Sequence, residues 1–224
     1  MVSPLRDPRR PLPVDPPTWT LRPAKNLVRI YHGHPLRRPL IPRQFGPLNR
    51  FDPHIRDRHG RRRDSPDGRG VLYLADDLAC ALAEAFQEEF PDVAVCPNVR
   101  AVWARAGSSA RLLDITGDGL MYIGAVGTLS SGDEPRRRTQ RWGRAIYEDY
   151  GNLVGIRYRA AHQGGIAVAL WDTAPAVVAL PGQDRALRER AVWERVVVSL
   201  ALQGRAPVKI PAADCSQCRD YGLA

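Results

Sequence analysis

The stretch V71-L-Y-L-A-D-D-L-A-C-A-L-A-E-A-F86 restricts what this chain can fold into more than any other. Val71–Leu74 is a run of apolar β-formers. Asp76 then opens an alanine-rich run of helix formers that Pro91 stops. A strand over 71–74 must therefore turn at once into a helix over Asp76–Phe90, which plants Tyr73 and Glu84 on consecutive elements. At about 100° per residue, Leu78, Leu82, Ala85 and Glu89 gather on one side of that helix. Glu84 falls about 120° from Leu78, close to Asp77 and Glu88. It is either part of a solvated acidic face or a functional carboxylate at the flank of the apolar stripe.

Residues 1–25 hold seven prolines without periodicity and read as an extended arm or a strap over the surface. Leu27–Tyr31 is a strand, Pro35–Pro53 is irregular, and Arg56–Gly70 is a charged, turn-rich loop. Further strands are expected at Ala101–Ala104, Arg111–Ile115, Leu153–Tyr158, Ile166–Trp171 and Ala176–Leu180. One helix runs from Pro135 to Tyr150, with Gly151 just past its end. Another spans Asp184–Leu202, with an apolar stripe through Leu187, Ala191, Val198 and Leu202. The tail beyond Gly204 reads as short and irregular. Helices and short strands interleave without a β-α-β rhythm, so the fold class is α+β. The organisation is an arm at 1–25, a compact single domain over 26–180, and an appended C-terminal helix and tail over 181–224.

Composition narrows the function classes. At 44% hydrophobic residues a sizeable core can form, while no apolar run approaches the ~20 residues that span a bilayer. The first residues carry arginines and prolines rather than an apolar signal core, so the expected location is cytoplasmic. Residues 1–69 contain 16 Lys+Arg against 6 Asp+Glu, and residues 70–224 contain 17 against 18, so the whole excess behind the +9 formal charge sits in the first third. Such a segment attracts polyanions, a phosphate-bearing cofactor included. Yet 31 of the 33 basic residues are arginine. That points to a general arginine bias, and nucleic acid is not the expected partner.

Cys215 and Cys218 have the C-x-x-C spacing of half a zinc site or a redox pair. No second pair lies nearby, and neither Cys80 nor Cys96 completes a set by spacing, so no metal is expected. His32 and His34, separated by one glycine, are a weak signal of ligation. The chain lacks the G-x-x-x-x-G-K-[ST], G-x-G-x-x-G and G-x-S-x-G patterns, which weakens triphosphatase, Rossmann and serine-hydrolase readings.

In L27-V-R-I-Y31, Val28 and Ile30 point one way while Arg29 and Tyr31 point the other. Arg29 either lies on an ordinary exposed face or is a guanidinium held for bidentate phosphate contacts. Arg50, in N49-R-F-D52, offers the same choice, and Tyr31 joins the cofactor-binding candidates. Tyr73 is either a half-buried packing residue or a ring that stacks on a nicotinamide or adenine. Two cations, an aromatic ring and a carboxylate are the groups that cleavage of a dinucleotide's glycosidic bond would use.

These segments, with R138-T-Q-R-W-G-R-A-I-Y147 and G155-I-R-Y-R-A-A-H-Q-G-G165, resemble the RES-domain family, named for its Arg, Glu and Ser residues. The likeness runs from Asn26 to Leu180. It implies a fold similar to that of ADP-ribosyltransferases and a toxin that degrades NAD by hydrolysis or phosphorolysis. It also implies a helix-turn-helix antitoxin as partner. Arg29 and Arg50 become cofactor-binding cations, Tyr73 lies beside the nicotinamide end, and Glu84 is the catalytic carboxylate. The family's serine position is Ala160 here. The hydrogen bond of that hydroxyl must be absent or come from elsewhere, with His162 and Gln163 as candidates. Two other functions stay open: transfer of ADP-ribose to a macromolecule, and a non-catalytic module that binds nucleotides or other polyanions. Oligomeric state is open as well.

Overall fold

The computed structural model describes residues 5–34, 38–131, 134–161 and 164–223. In chain order the elements begin with β1 (Thr18–Leu21), β2 (Leu27–His32), β3 (Phe45–Gly46), β4 (Arg63–Asp64), β5 (Val71–Ala75) and α1 (Leu78–Ala85). Next come β6 (Asp92–Val95), β7 (Val99–Ala106), β8 (Ala110–Asp114), α2 (Gly119–Tyr122), α3 (Thr128–Ser131) and α4 (Arg136–Asp149). The chain ends with β9 (Gly155–Arg159), β10 (Ile166–Trp171), β11 (Val177–Ala186), α5 (Arg190–Ala201), β12 (Ala206–Lys209), a 3-10 turn over Ala212–Asp214, and α6 (Ser216–Asp220). Among the described residues, no helix is long and apolar enough to cross a membrane.

Eight strands form one sheet in the order β1-β8-β9-β10-β5-β2-β7-β11, with β8 and β9 parallel. Alternation along each strand assigns the two faces. Val71, Tyr73 and Ala75 of β5 turn to the face that carries the helices, and Leu72 and Leu74 turn to the other. In β10, Ala167, Ala169 and Trp171 oppose Val168 and Leu170 in the same way. No described helix contributes to the second face. There Leu21, Leu27, Leu72, Leu112, Val168 and Leu170 bury one another, so the sheet curls over its own apolar surface. Burial on both faces explains why V71-L-Y-L-A75 is a near-continuous apolar run rather than an alternating one. The result is an α+β domain with the helices on one side.

Asp77 caps α1, its carboxylate accepting from the Cys80 N–H at 2.8 Å, a contact worth about 1 kcal/mol. The helix is shorter than the expected 76–90. Its buried residues are Leu78, Cys80, Ala81, Leu82 and Ala83, because it lies between the sheet and α5. With two covered sides there is no single stripe, and Ala85, expected within one, is exposed. α5 begins at Arg190 rather than Asp184, since Asp184–Ala186 extend β11 along β7. Its buried face is Val192, Val196 and Leu200, whereas Val198 and Leu202 of the expected stripe are exposed. Position 180, the expected domain edge, falls inside β11.

The proline-rich arm lies along α4. Leu5 and Leu12 are buried. The Trp142 Nε1–H donates to Arg6 O at 2.8 Å, and the Tyr150 hydroxyl donates to Pro13 O at 2.8 Å. β1, an element that prolines on both sides disguise in the sequence, then pairs with β8 at the sheet edge. The tail beyond Gly204 is ordered rather than irregular. β12 pairs in parallel with β6, from Ala206↔Asp92 to Lys209↔Val95, before the 3-10 turn and α6.

Candidate functional site

β2 and β5 are neighbours in the sheet, yet their ladder holds at the single pair Val28↔Ala75. Beyond it the strands part, and a cleft of about 400 Å³ opens on the helix-bearing side, within the size range of small-molecule sites. Val28, Arg29 and Ile30 of β2 form one lip; Tyr73 of β5 and Tyr158 of β9 lie deeper. The facing wall is Ala81, Glu84 and Ala85, one side of α1 by their spacing, with Glu88 in the turn just beyond it. Asn49 and Arg50 reach in from the loop before β4. Thus Arg29, Arg50, Tyr73 and Glu84, scattered over the first 84 positions, line a single hollow. Val28 and Ile30 also pack against the helix-covered core.

Glu84 is held from two directions. Its Oε1 accepts from the Ala161 N–H at 3.1 Å, and its Oε2 lies 3.9 Å from Arg50 Nη2, at the long limit of an ion pair. Arg50 also donates through Nη1 to the Ser130 carbonyl. The loop that carries Arg50 is organised by Asp52, which is fully buried. Asp52 Oδ2 accepts from the N–H groups of Leu48 and Asn49 at 2.5 and 3.1 Å and from Arg43 Nη2 at 2.7 Å. Its Oδ1 accepts from the Tyr73 hydroxyl at 2.8 Å, and that hydroxyl accepts from the Phe51 N–H at 3.1 Å. One carboxylate therefore ties the Arg50 loop to the strand of Tyr73. Sequence reasoning quoted Asp52 only as the end of a motif; an acid placed among so many arginines was its one signal.

Burial, then the Asp52 charge, pushes the Tyr73 hydroxyl well above the usual tyrosine range, so it stays a neutral donor. Tyr158 is shifted the same way, by burial first and then by the Glu84 charge. Its ring packs on Phe51 at 4.7 Å between centroids. It is a lining residue that the sequence did not single out. The arginine-rich α4 supports the arrangement from behind. A Cβ at Gly143 would sit 2.8 Å from the Phe51 backbone, so only glycine lets the helix lie so close to the Arg50 loop.

Tyr31 and Ala160 are not among the described lining residues. The Tyr31 hydroxyl donates to Asp184 of β11 at 2.8 Å, and burial together with that carboxylate pushes its pKa up to about 12. Ala160 is buried, with its N–H on the Gly165 carbonyl at 2.8 Å. The donor to Glu84 comes from the next residue, Ala161. His162 and Gln163 lie outside the described residues.

A second cluster sits further along β2. His32 ends the strand, and its Nε2 lies 3.2 Å from Cys218 Sγ, 3.5 Å from Cys96 Sγ and 3.8 Å from Cys215 Sγ. The fold thus places two further donor side chains, Cys96 and His32, beside the C-x-x-C pair. Spacing along the chain could not reveal donors that the fold collects from β2, from the end of β6 and from α6.

No curated protein sequence matches this chain. Among solved structures, it is similar to a chain of the M. tuberculosis MbcT–MbcA toxin–antitoxin complex. The identity is 15% over 72% of this chain and 86% of that chain, with a TM-score of 0.48. The family model described as the RES domain matches residues 27–194. That span takes in every residue that lines the cleft, from β2 into α5, and the chain belongs to the RES-domain family.

Proposed function

We propose that the cleft binds NAD and that the protein cleaves its nicotinamide–ribose bond, with phosphate or water as acceptor, as a RES-type toxin. One observation carries this reading: Glu84, oriented by the Ala161 N–H at 3.1 Å, shares a cleft with Arg29, Arg50 and the ring of Tyr73. The nicotinamide of NAD is already cationic and departs as a neutral ring, so its loss needs no strong general acid. The ribosyl group left behind gains oxocarbenium character. A carboxylate fixed in advance stabilises that charge and accepts a hydrogen bond from a ribose hydroxyl, without reorganising at the moment of reaction. Arg29 and Arg50 hold the pyrophosphate, and Tyr73 flanks the nicotinamide end with its hydroxyl anchored on Asp52. The acceptor oxygen then bonds to the carbon that nicotinamide has left, and its proton passes to solvent. A helix-turn-helix antitoxin as partner belongs to the same reading, supported by the family resemblance.

Glu84→Ala should lower nicotinamide release from NAD by on the order of 10²–10³, with circular dichroism and melting temperature unchanged. Release at the wild-type rate in that variant would remove Glu84 from the mechanism. Comparing release with and without phosphate assigns the acceptor. Ala160 at the family's serine position favours one second reading, a non-catalytic nucleotide-binding module. In that case NAD would raise the melting temperature while no nicotinamide appears.

A further inference from the structure

We propose that His32, Cys96, Cys215 and Cys218 form a closed, tetrahedral zinc site that fastens the C-terminal segment to the sheet. The four donor atoms lie within 4.8 Å of one another. A tetrahedral ion with Zn–S near 2.3 Å and Zn–N near 2.0 Å sets its ligands apart by about 3.8 Å for S···S and about 3.5 Å for S···N. Here Cys96 Sγ and Cys218 Sγ are 3.4 Å apart, and His32 Nε2 stands 3.2–3.8 Å from the three sulfurs. The donors are thus grouped at nearly the size of a zinc coordination shell. All four cysteines of the chain are free, and 3.4 Å between Cys96 and Cys218 is far from the ~2.05 Å of a disulfide.

Donor chemistry selects the ion. Three thiolates and an imidazole make a Cys₃His set, soft enough to prefer zinc over magnesium or calcium and complete enough to leave no open position. Such a site is structural rather than catalytic. On loading, the Sγ–H bonds of the three thiols break, their protons pass to solvent, and three Zn–S bonds and one Zn–N bond form. His32 binds through Nε2 with its proton on Nδ1. The surplus negative charge on the sulfurs meets donors that are already in place. Asn98 Nδ2 donates to Cys218 Sγ at 3.4 Å, the backbone N–H of Asn98 reaches Cys96, and those of Gln217 and Cys218 reach Cys215. These outer contacts orient the ligands. Cys96 and Cys218 are fully buried, and the Tyr221 ring packs edge-on against His32 at 5.5 Å between centroids.

The consequence is mechanical. The site joins the end of β2, the end of β6 and α6, and so locks β12 and the following turn onto the body of the domain. Because such a site does not exist in the unfolded chain, metal binding is coupled to folding of that segment.

The test uses the full chain, purified under reducing conditions from zinc-supplemented cells, with metal content measured by mass spectrometry. Stoichiometric zinc is expected, together with slow thiol modification that a strong chelator accelerates. Chelation should also open the segment after Gly204 to proteolysis. Replacing zinc with cobalt should give the visible bands of a tetrahedral ion and sulfur-to-cobalt charge transfer. The Cys215→Ser/Cys218→Ser variant should lose those bands, and His32→Ala should weaken cobalt binding while the chain remains folded. A folded wild-type protein with no stoichiometric zinc and no cobalt spectrum would overturn the proposal. So would a disulfide among Cys96, Cys215 and Cys218 in freshly isolated protein, or removal of bound metal without any change in proteolysis of the tail. None of these outcomes depends on NAD cleavage, so the site can fail without touching the proposed reaction.

Discussion

The cleft and the His/Cys cluster hang on the same strand, and they are built in opposite ways. Arg29 of β2 opens onto a hollow of about 400 Å³ in which Arg50 and Glu84 stand 3.9 Å apart. His32, at the end of that strand, faces three sulfurs at 3.2–3.8 Å. In the cleft, Asp52 holds a tight network beneath the surface, while Arg50 and Glu84 meet each other loosely. In the cluster, each donor faces the other three. An open site keeps hydrogen-bonding capacity for something that arrives and leaves; a closed one uses it all to hold the chain together.

Asp52→Ala tests this contrast most severely. It strips partners from Arg43, from two backbone N–H groups and from the Tyr73 hydroxyl, all of which Asp52 now satisfies. Deleting an acceptor that serves a cation and several buried donors should cost about 3 kcal/mol. The urea midpoint should fall with an unchanged m-value, and nicotinamide release should fall with it. Zinc content should not change if the two regions are independent; loss of metal along with cleft activity would break the contrast. Glu84→Ala is of comparable size, about 2.7–4 kcal/mol of barrier, with its effect confined to the rate.

The same contrast explains what the sequence disclosed. Tyr73 and Glu84 sit in one contiguous block whose strand and helix character is strong, so they could be placed on β5 and α1 from the sequence, whereas Arg50 lies in a loop without such a pattern. Helix periodicity could not decide the role of Glu84. α1 is covered by both the sheet and α5 and has no single apolar stripe to measure against. The register of α5 was misjudged for a related reason: Asp184–Ala186 pair with β7 instead of starting a helix. The cluster was illegible because its ligands come from positions 32, 96, 215 and 218, and local spacing carries no information about such distances in sequence. Asp52 went unnoticed because a buried acid that binds backbone N–H groups has no local pattern of its own.

Gly143→Ala is a milder probe of the cleft. The added Cβ would meet the Phe51 Cα and carbonyl carbon at 2.8 Å. Backbone atoms cannot swing aside as a side chain would, so α4 and the Arg50 loop must separate. Overpacking of this kind costs about 1–3 kcal/mol. Because it moves Arg50 rather than Glu84, KM for NAD should rise more than kcat falls. An unchanged KM with a lower melting temperature would show that the position of the Arg50 loop does not govern binding.

The smallest expected effect is that of Ala160→Ser, which adds the hydroxyl that the proposed reading expects at this position. Ala160 is buried, and the following N–H already orients Glu84 at 3.1 Å. A hydroxyl here lies one residue from that contact and gains a partner only if Glu84 or bound NAD supplies one. If it does, the new hydrogen bond strengthens as charge develops on the ribose, and turnover should rise a few-fold. If it does not, a buried and unsatisfied hydroxyl should cost about 1–3 kcal/mol of stability with no gain in rate. Measuring kcat and melting temperature on one preparation separates the two outcomes. A drop in both would mean that the backbone around Ala161 accommodates only a small side chain at 160, and that Glu84 relies on the Ala161 N–H alone for its orientation.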